Sequence, residues 1–289
     1  MMERARVFGV LGDPVDHSLS PAMQNAAFAA LRLPHLYLRY RVAPATLRSA
    51  LAEARRMRVG GLNLTVPLKE VAVRLMDVLT PAAARAGAVN TVSLRRGRLV
   101  GDNTDGRGFV AALAGRVRIE RAPVLMLGAG GSARAVASAL VDAGCPRLTI
   151  ANRTPARAEC LAADLANGST EIEAAPLDDA ARHLTSDTAV VVNTTSAGLA
   201  GEAITLDARR SSSRCLFVDL VYGRDTRFLA AARRAGRPVM DGGPMLLHQG
   251  ALAFTLWTGR RAPLGAMASA LVTAGLALPG LVRGGTGER

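Results

Sequence analysis

The stretch Pro123-Val124-Leu125-Met126-Leu127-Gly128-Ala129-Gly130-Gly131-Ser132-Ala133-Arg134 decides the fold of this chain. Its apolar first half predicts a buried strand, and the small residues that continue to Val141 predict a helix. The glycines between them let the backbone pass close to a pyrophosphate, whose charge is stabilised by the free N–H groups at the helix start. A second apolar run, Leu148–Ala151, predicts the next strand. This order of strand, glycine turn, helix and strand predicts a dinucleotide-binding unit of the Rossmann type.

The end of the second strand indicates which dinucleotide is bound. A carboxylate there would accept hydrogen bonds from a ribose 2′-hydroxyl group and would favour NAD. The chain instead carries Asn152, Arg153 and Thr154, with Arg157 one short turn later. Because two guanidinium groups and two small polar side chains suit a 2′-phosphate, the sequence predicts NADP. The alternative interpretation is that both arginines are solvated surface residues.

The composition is that of a folded protein with one large or two ordinary domains. The chain has 289 residues, of which 49% are hydrophobic, so a sizeable core is expected and disorder is not. Cys145, Cys160 and Cys215 are odd in number and lack metal-binding spacing. We therefore expect no disulfide framework, no metal site and a reducing, cytoplasmic compartment. Residues Met1–Arg6 are not followed by the apolar run that is typical of a signal peptide.

The formal net charge of +13 raises the question of a polyanionic partner. The arginines are scattered, however, and aromatic residues make up only 3% of the chain, so we expect no nucleic-acid partner. An anionic substrate and a phosphate-rich cofactor also suit this charge.

The segment Ala262–Val282 is uncharged over 21 residues and long enough to span a bilayer. Because it is rich in small residues and bounded by Pro263 and Pro279, we expect a packed helix and no membrane association.

Strands alternate with helices along the chain, which predicts an α/β protein of two domains. The N-terminal α/β domain is expected to have a mostly parallel sheet, and two long C-terminal helices are expected to return to it. We predict a substrate-binding and catalytic domain of residues 1–104 plus 245–289 and a Rossmann NADP-binding domain of residues 105–244. The other predicted strands are Val7–Leu11, Tyr37–Val42, Gly61–Val66, a hairpin of Val89–Leu94 with Arg98–Val100, Ala189–Val192, Leu216–Leu220 and Val239–Met240. The other predicted helices run from Ser20 as N-cap to Leu31, from Thr46 as cap to Met57, over Glu70–Leu79, Pro81–Ala86 and Phe109–Leu113, from Asp225 or Thr226 to Ala235, and over Met245–Gly259 and Leu264–Leu278.

Polar side chains that suit a hydroxylated substrate lie at the ends of the N-terminal elements, and Lys69 and Asp105 are the charged pair among them. In a carbonyl reduction, a lysine can stabilise the negative charge on the oxygen and donate the proton, while an aspartate holds the lysine and binds a neighbouring hydroxyl. Alternatively, Lys69 is a solvated residue at a helix start and Asp105 is a helix cap. Sequence spacing alone does not bring the two together. The other members of this set are Ser18, Ser20, Asn63, Thr65 and Asn90.

Taken in order, the motifs of the chain resemble those of the shikimate dehydrogenase family, from about Val7 to Trp257. The glycine turn is a weak signal by itself, whereas the ordered set of motifs is specific. The motifs that carry the resemblance are Ser18-Leu19-Ser20-Pro21, Asn63–Lys69, Gly87–Thr91, Asn103–Gly106, Gly128–Arg134, Asn152–Thr154, Asn193–Gly198, Asp219–Tyr222 and Met245–Gln249.

The resemblance implies reversible, NADP-dependent reduction of 3-dehydroshikimate to shikimate, on the route to chorismate and the aromatic amino acids. Lys69 would be the catalytic acid/base with Asp105 as its partner, and two serine hydroxyls would bind the substrate carboxylate. By matching position, the substrate would be bound by Ser18, Ser20, Thr65, Lys69, Asn90, Asp105, Tyr222 and Gln249. The cofactor would be bound by Gly128, Ala129, Gly130, Gly131, Ser132, Asn152, Arg153, Thr154, Arg157, Leu220 and Gly242.

Some positions depart from the family pattern, and two alternative functions remain open. The loop after Tyr222 lacks the usual proline and is one residue shorter, and Gly243-Pro244 stands where Leu-Gly is typical. One alternative is a relative of broader specificity that also oxidises quinate, with NAD. Ser20 in place of threonine and the arginines at 153 and 157 weigh against it. The other is a nonenzymatic protein that senses NADP or binds nucleic acid. The sequence does not distinguish a homodimer from a monomer.

Overall fold

The computed structural model describes residues 4–195, 197 and 204–278 of the chain. The chain divides into two compact units, one formed by Met1–Gly108 with Leu246–Arg289 and the other by Phe109–Met245. The first boundary follows Gly108, four residues after the predicted boundary at residue 104. The second follows Met245, one residue after the predicted boundary at residue 244.

Each unit is built on a six-stranded sheet, counted over the described residues. The strands are β1 (Val7–Gly12), β2 (Leu36–Arg41), β3 (Gly61–Leu64), β4 (Val78–Leu79), β5 (Thr91–Arg95), β6 (Arg98–Asp102), β7 (Val124–Leu127), β8 (Arg147–Asn152), β9 (Glu171–Pro176), β10 (Val190–Asn193), β11 (Leu216–Asp219) and β12 (Val239–Met240). The α-helices are α1 (Ser20–Ala30), α2 (Leu47–Arg56), α3 (Leu68–Val71), α4 (Pro81–Ala86), α5 (Asp105–Leu113), α6 (Gly131–Asp142), α7 (Pro155–Leu165), α8 (Ala180–His183), α9 (Arg227–Arg234), α10 (Gly243–Thr258) and α11 (Leu264–Thr273).

The sheet of the first unit has the strand order β2-β1-β3-β5-β6-β4. The pairs β1–β2, β1–β3 and β4–β6 are parallel, and the pairs β3–β5 and β5–β6 are antiparallel. The predicted mostly parallel sheet and its hairpin are therefore confirmed. Because β1 and β3 are parallel neighbours, the polar residues that follow them emerge at the same edge of the sheet.

The sheet of the second unit has the strand order β12-β11-β10-β7-β8-β9, and all its neighbours are parallel. This is the doubly wound order of dinucleotide-binding folds, in which the first strand lies centrally and the third and sixth lie at the edges. The strand order reverses between β7 and β10, and ligands of such sheets bind outside the carboxyl ends of the strands at that place. The predicted Rossmann unit is confirmed.

An aromatic cluster joins the two ends of the first unit's sequence. The ring centroids of Phe8 and Phe28 are 5.1 Å apart, those of Phe28 and Phe254 5.4 Å, and those of Phe8 and Trp257 5.3 Å. The Trp257 indole Nε1 also donates a hydrogen bond to the Val92 carbonyl at 3.1 Å. Removal of a buried aromatic side chain of this kind costs about 3–5 kcal/mol, so helix α10 is integral to the first unit.

The helix predicted over Glu70–Leu79 is wrong for most of its length. Helix α3 ends at Val71, a 3₁₀ turn covers Ala72–Leu75, and Val78–Leu79 form strand β4. The register of β4 with β6 pairs Val78 with Val100. Backbone pairing at the sheet edge therefore overrides the helix propensity of this stretch.

Three predicted helix starts also differ from the structure. Leu19 is the N-cap of α1, and Ser20 is the first helical residue, with no side-chain cap hydrogen bond. Thr46 does precede α2, but its hydroxyl donates to the Ala43 carbonyl at 3.1 Å and does not cap the helix. Helix α5 begins at Asp105, four residues before the predicted Phe109.

Three elements of the second unit were not predicted at all, namely α7, β9 and α8. Strand β9 reads Glu-Ile-Glu-Ala-Ala-Pro and lies at the edge of the sheet. Its short side chains and charged residues give a weak strand signal, because edge strands bury less apolar surface.

None of the described helices is long and apolar enough to cross a membrane. The part of Ala262–Val282 beyond residue 278 lies outside the described residues.

Candidate active site

Lys69 and Asp105 form a largely buried ion pair in the first unit. The Lys69 Nζ lies 2.6 Å from Asp105 Oδ2, and the two side chains are 12% and 6% exposed. Lys69 is held in place by its neighbour Leu68, which begins α3 and is fully buried. Thirty-six residues separate the pair in sequence, so only the tertiary fold brings it together. The alternative in which Lys69 is a solvated surface residue is wrong.

Asp105 does not cap helix α5. Its own backbone N–H donates to Asn103 Oδ1 at 3.0 Å, and the Asn103 amide in turn donates to the Ala88 carbonyl at 2.9 Å. Asn103 therefore supplies the capping side chain. The Asp105 carboxylate is left to bind Lys69 through Oδ2 and Asn90 through Oδ1. The helix-cap interpretation of Asp105 is thus also wrong.

Lys69 is the only lysine of the chain, although Lys and Arg together number 36. An arginine does not lose its proton at any accessible pH, whereas a lysine can. The one lysine of the chain therefore stands at the buried carboxylate of Asp105. This signal is present in the sequence, and a count of lysines alone would have singled out Lys69.

Two amide side chains complete the surroundings of the ion pair. The Asn90 Nδ2 lies 2.7 Å from Asp105 Oδ1 and 3.4 Å from Gln249 Oε1. The Gln249 Nε2 donates to the Leu246 carbonyl at 2.9 Å, within α10. Gly108, one turn into α5, has no room for a side chain, since a Cβ there would lie 2.7 Å from the Gln249 backbone nitrogen. The structure therefore brings Lys69, Asn90, Asp105 and Gln249 together.

Ser18, Ser20 and Thr65 lie after the parallel neighbours β1 and β3. The Ser20 backbone N–H donates to Ser18 Oγ at 3.3 Å, which places the Ser18 hydroxyl at the start of α1. Thr65 follows β3, and its backbone N–H donates to the Leu11 carbonyl at 2.9 Å. A Cβ at Gly12 would lie 2.3 Å from Thr65 Cγ2. Glycine at position 12 therefore allows the threonine side chain to pack against β1.

The glycine turn of the second unit fits a pyrophosphate. Gly128 has a φ of +111°, in the region that favours glycine, and a Cβ there would lie 2.5 Å from Thr194 Oγ1. Helix α6 begins at Gly131 after the N-cap Gly130, and no side chain caps it. The N–H groups of the first helical turn lack intrahelical partners and carry the positive end of the helix dipole. This site is therefore suited to an anion.

The residues after β8 fit a 2′-phosphate. Asn152 ends the strand, and its Nδ2 donates to the Thr154 carbonyl at 2.8 Å, which shapes the turn into α7. Arg153 is exposed and forms no ion pair with any described residue. Arg157 lies in the first turn of α7. The absence of a carboxylate at this turn is the feature that distinguishes NADP from NAD sites.

Leu220, Tyr222 and Gly242 lie in two neighbouring loops of the second unit. A Cβ at Gly242 would lie 2.1 Å from the Leu220 carbonyl oxygen, so the two backbones touch. The loop that carries Tyr222 is anchored by Asp219, which is fully buried. Its carboxylate accepts hydrogen bonds from the Val221 N–H at 3.1 Å, the Asn193 amide at 3.1 Å and the Thr226 hydroxyl at 2.7 Å.

Burial raises the pKa of Asp219, and the nearby Asp241 carboxylate adds to the rise, while the three hydrogen bonds oppose it. Burial also raises the pKa of Asp241. Sequence reasoning placed Asp219 in a motif without a role, and its function as the anchor of the loop was missed. In the loop that begins at Asn193, Ser196 and Gly198 lie outside the described residues.

Three family models match the chain in order. They describe a shikimate dehydrogenase substrate binding domain over residues 10–92, a shikimate/quinate 5-dehydrogenase over residues 111–232, and a shikimate 5′-dehydrogenase C-terminal domain over residues 244–272. A shikimate dehydrogenase (NADP(+)) of Symbiobacterium thermophilum is 43% identical over 277 residues, which cover 93% of this chain and 94% of that protein.

The chain belongs to the shikimate dehydrogenase family. Its fold also matches the crystal structure of a shikimate 5-dehydrogenase from Thermus thermophilus in complex with NADP(H) and shikimate, with a TM-score of 0.81 and 41% identity. That match covers 93% of this chain and 99% of the other. A quinate dehydrogenase from Corynebacterium glutamicum in complex with NAD matches with a TM-score of 0.82 and 30% identity, covering 93% and 99%. The family fold therefore serves more than one substrate and cofactor.

Proposed function

We propose that the protein catalyses the reversible, NADP-dependent reduction of 3-dehydroshikimate to shikimate in the biosynthesis of aromatic amino acids. The observation that carries this proposal is the buried ion pair of Lys69 and Asp105, formed by the only lysine of the chain. A carbonyl reduction needs a group that donates a proton to the new alkoxide, and an arginine would not serve. Family membership supplies the substrate class.

Lys69 is proposed as the general acid. As the carbonyl is reduced, negative charge develops on its oxygen, and the Lys69 ammonium stabilises that charge and transfers a proton to it. In the oxidation of shikimate the neutral amine accepts the proton from the hydroxyl group. Asp105 binds the ammonium through Oδ2 at 2.6 Å and so keeps Nζ in one position during both directions. Bound substrate would place its ring hydroxyls within reach of these two groups.

The remaining polar groups are proposed to orient the substrate. The hydroxyls of Ser18 and Ser20 would bind its carboxylate, because both serines lie at the start of α1, where the Ser20 N–H donates to Ser18 Oγ. Hydroxyl and amide groups both donate and accept hydrogen bonds, so they suit a polyhydroxylated ring. The ring hydroxyls would be bound by Thr65, Asn90, Tyr222 and Gln249.

The second unit is proposed to bind NADP. When bound, NADPH supplies the hydride that reduces the carbonyl. The turn from Gly128 to Ser132 would bind the pyrophosphate, and Arg153 with Arg157, Asn152 and Thr154 would bind the 2′-phosphate. Leu220 and Gly242 would contact the nicotinamide end through backbone groups. Arg153 also favours NADP over NAD, so we propose a narrow shikimate dehydrogenase in preference to a quinate dehydrogenase.

We further propose a reducing, cytoplasmic location. Cys145, Cys160 and Cys215 are all free, and burial raises the pKa of the Cys145 and Cys215 thiols to about 11. Buried thiols of this kind are unreactive and fit an intracellular enzyme without disulfides. A cell fractionation that follows shikimate-dependent activity would test this.

The test of the function is the absorbance of NADPH, followed with shikimate and NADP as substrates. We expect a rate with shikimate and NADP that exceeds by about tenfold or more the rates with quinate or with NAD. Equal rates with quinate and NAD would favour the broader enzyme, and no rate with any combination would overturn the proposal.

Lys69→Ala is expected to lower kcat by about 10²–10⁴-fold while NADP binding stays unchanged, because the general acid is lost. Lys69→Arg is the matched variant. It keeps the positive charge next to Asp105 but does not transfer its proton, so we expect it to be nearly as inactive as Lys69→Ala. A Lys69→Arg enzyme with normal turnover would show that the residue acts through its charge alone.

A further inference from the structure

A chain of buried side-chain hydrogen bonds connects the interior of the first unit to the ion pair. The Tyr37 hydroxyl lies 2.7 Å from Asn63 Oδ1, and the Asn63 Nδ2 lies 3.1 Å from Thr91 Oγ1. The Thr91 Oγ1 lies 2.9 Å from Asn90 Oδ1, and the Asn90 Nδ2 lies 2.7 Å from Asp105 Oδ1. Tyr37 and Thr91 are fully buried, and Asn63 and Asn90 are nearly so.

Two backbone groups fix the orientation of both amides. The Thr104 backbone N–H points at Asn90 Oδ1 from 2.8 Å, so this atom has to be the amide oxygen. The Asn63 Nδ2 points at the Asn90 carbonyl from 3.0 Å, so this atom has to be the amide nitrogen. The Tyr37 hydroxyl must therefore donate to Asn63. The Thr91 hydroxyl accepts from Asn63 and has one proton to donate. Its two possible acceptors are Asn90 Oδ1 at 2.9 Å and Thr104 Oγ1 at 3.2 Å, and the shorter contact assigns the proton to Asn90.

With Thr91 donating to Asn90, every donor in this chain points towards Asp105. Hydrogen bonds aligned in one direction polarise one another, so each strengthens the next. With its oxygen held by Thr91 and Thr104, the Asn90 amide presents its NH₂ group to Asp105 Oδ1. The other carboxylate oxygen, Oδ2, is then left for Lys69. A flipped Asn90 would set its oxygen against the carboxylate and repel it.

We propose that Thr91 is a positioning residue, whose hydroxyl holds the Asn90 amide in the orientation that fixes the Asp105 carboxylate beneath Lys69. Thr91 lies at the first residue of β5, directly opposite Asn63 on β3. A fully buried strand position ordinarily favours valine, because a buried hydroxyl is costly unless it is hydrogen-bonded. The Thr91 hydroxyl meets this condition, because it accepts from Asn63 and donates to Asn90. The inference rests on the proposed role of Lys69 and Asp105.

The test compares Thr91→Val with Thr91→Ser. The valine variant keeps the shape and loses the hydroxyl, so we expect kcat for shikimate oxidation to fall roughly 10- to 100-fold, since a loosely held catalytic group loses about this much. The KM for NADP should not change, because the proposed NADP site lies in the other unit. Thr91→Ser keeps the hydroxyl and should restore kcat to within about threefold of the original.

Thr255→Val is the matched control. Its hydroxyl also lies in the first unit, but it donates to the Ala251 carbonyl within its own helix. We expect its kcat to equal that of the original protein. Tyr37→Phe removes the first donor of the chain without changing the ring, and it should lower kcat less than Thr91→Val does, since it acts through two more links. It also serves as the readout if Thr91→Val does not fold.

The possible results separate this proposal from the proposed function. An unmodified protein without shikimate activity would overturn the function and this inference with it. An active protein in which Thr91→Val keeps its kcat would overturn the positioning role alone. Equal losses in Thr91→Val and Thr91→Ser would also overturn it, because the hydroxyl would then not be the group that matters.

Discussion

At the scale of single residues, function depends on whether a charged side chain has an ion-pair partner within the protein. Lys69 is paired and only 12% exposed, and Arg153 is exposed without an ion-pair partner among the described residues. The first arrangement fixes the position of a proton donor, whereas the second leaves a guanidinium group available to a ligand. Both residues were predicted from the sequence, yet only the structure separates their two situations.

Arg153→Ala tests the cofactor preference at this scale. Loss of a charge-assisted, bidentate contact to the 2′-phosphate should raise the KM for NADP by about tenfold or more, while the KM for NAD stays the same. The measurement is the ratio of kcat/KM for the two cofactors. Arg214→Ala, at another exposed arginine of the same unit, controls for the loss of one positive charge. A preference unchanged in Arg153→Ala would contradict the assignment.

At the scale of elements, the loop between β11 and α9 depends on one buried carboxylate. Asp219 ends the strand and accepts a hydrogen bond from Thr226, the N-cap of α9, whose hydroxyl oxygen also accepts from the Leu229 N–H at 3.3 Å. The carboxylate thus binds the first residues of the loop and its last residue at once. Both ends of the loop that carries Tyr222 are therefore held by one side chain.

The raised pKa of Asp219 has a consequence for stability. The folded protein binds the Asp219 proton more tightly than the unfolded chain does, so this contribution to the free energy of unfolding is present below the ordinary pKa of 3.8 and is lost as the pH rises through the raised value. Asp219→Asn does not titrate. As the pH rises above 3.8, the free energy of unfolding of the original protein should therefore fall relative to that of Asp219→Asn.

Urea unfolding at several pH values measures this difference. The exposed Asp225, which pairs with Arg233 at 3.0 Å, provides the control Asp225→Asn for the loss of one negative charge. A constant difference between Asp219→Asn and the original protein across the range would show that the buried carboxylate does not titrate differently in the folded state.

The elements also show how far sequence reasoning reached. The glycine turn, the β5–β6 hairpin and α4 were predicted because local signals determine them. Glycine supplies a positive φ at Gly128 and Gly97, and the Thr80 side chain caps α4 by accepting from the Ala83 N–H at 3.3 Å. Strands β4 and β9 were missed because their stability comes from pairing with β6 and β8, which no local pattern records.

The site was predictable to the same degree. Its polar residues could be named, because hydroxyl, amide and charged groups at element ends suit a hydroxylated substrate. Their arrangement could not be predicted. The contact of Lys69 with Asp105 depends on where α3 and α5 begin, and the orientation of Asn90 depends on the Thr104 backbone N–H and the Thr91 hydroxyl together. These are tertiary properties, and spacing in the sequence does not contain them.

At the scale of the whole molecule, the net charge of +13 should act on ligands according to their own charge. NADP carries several phosphate charges and shikimate carries one carboxylate. We therefore expect salt to raise the Kd for NADP more steeply than the KM for shikimate, because added ions shorten the Debye length from about 14 Å at 50 mM to roughly 4 Å at 500 mM.

Calorimetric titration of NADP and steady-state kinetics over this salt range would measure the two slopes. Arg153→Ala should show a shallower slope for NADP, because one phosphate contact is missing. A Kd for NADP that does not depend on salt would indicate that the arginine-rich surface contributes nothing to cofactor binding.

The return of α10 to the first unit has a consequence for how the protein is made. Phe254 and Trp257 cover Phe28 and Phe8. The Gln24 amide donates to the Gly250 carbonyl at 2.9 Å. Gly250 also leaves room for the Met23 side chain, since a Cβ at position 250 would lie 2.1 Å from the Met23 Cε. On the ribosome, the segment up to residue 108 emerges first. Its apolar side chains stay uncovered until the α10 residues that pack on them have been translated. The dinucleotide-binding unit, whose sequence is continuous, would mature earlier, and the nascent first unit would need chaperone protection until translation passes Trp257.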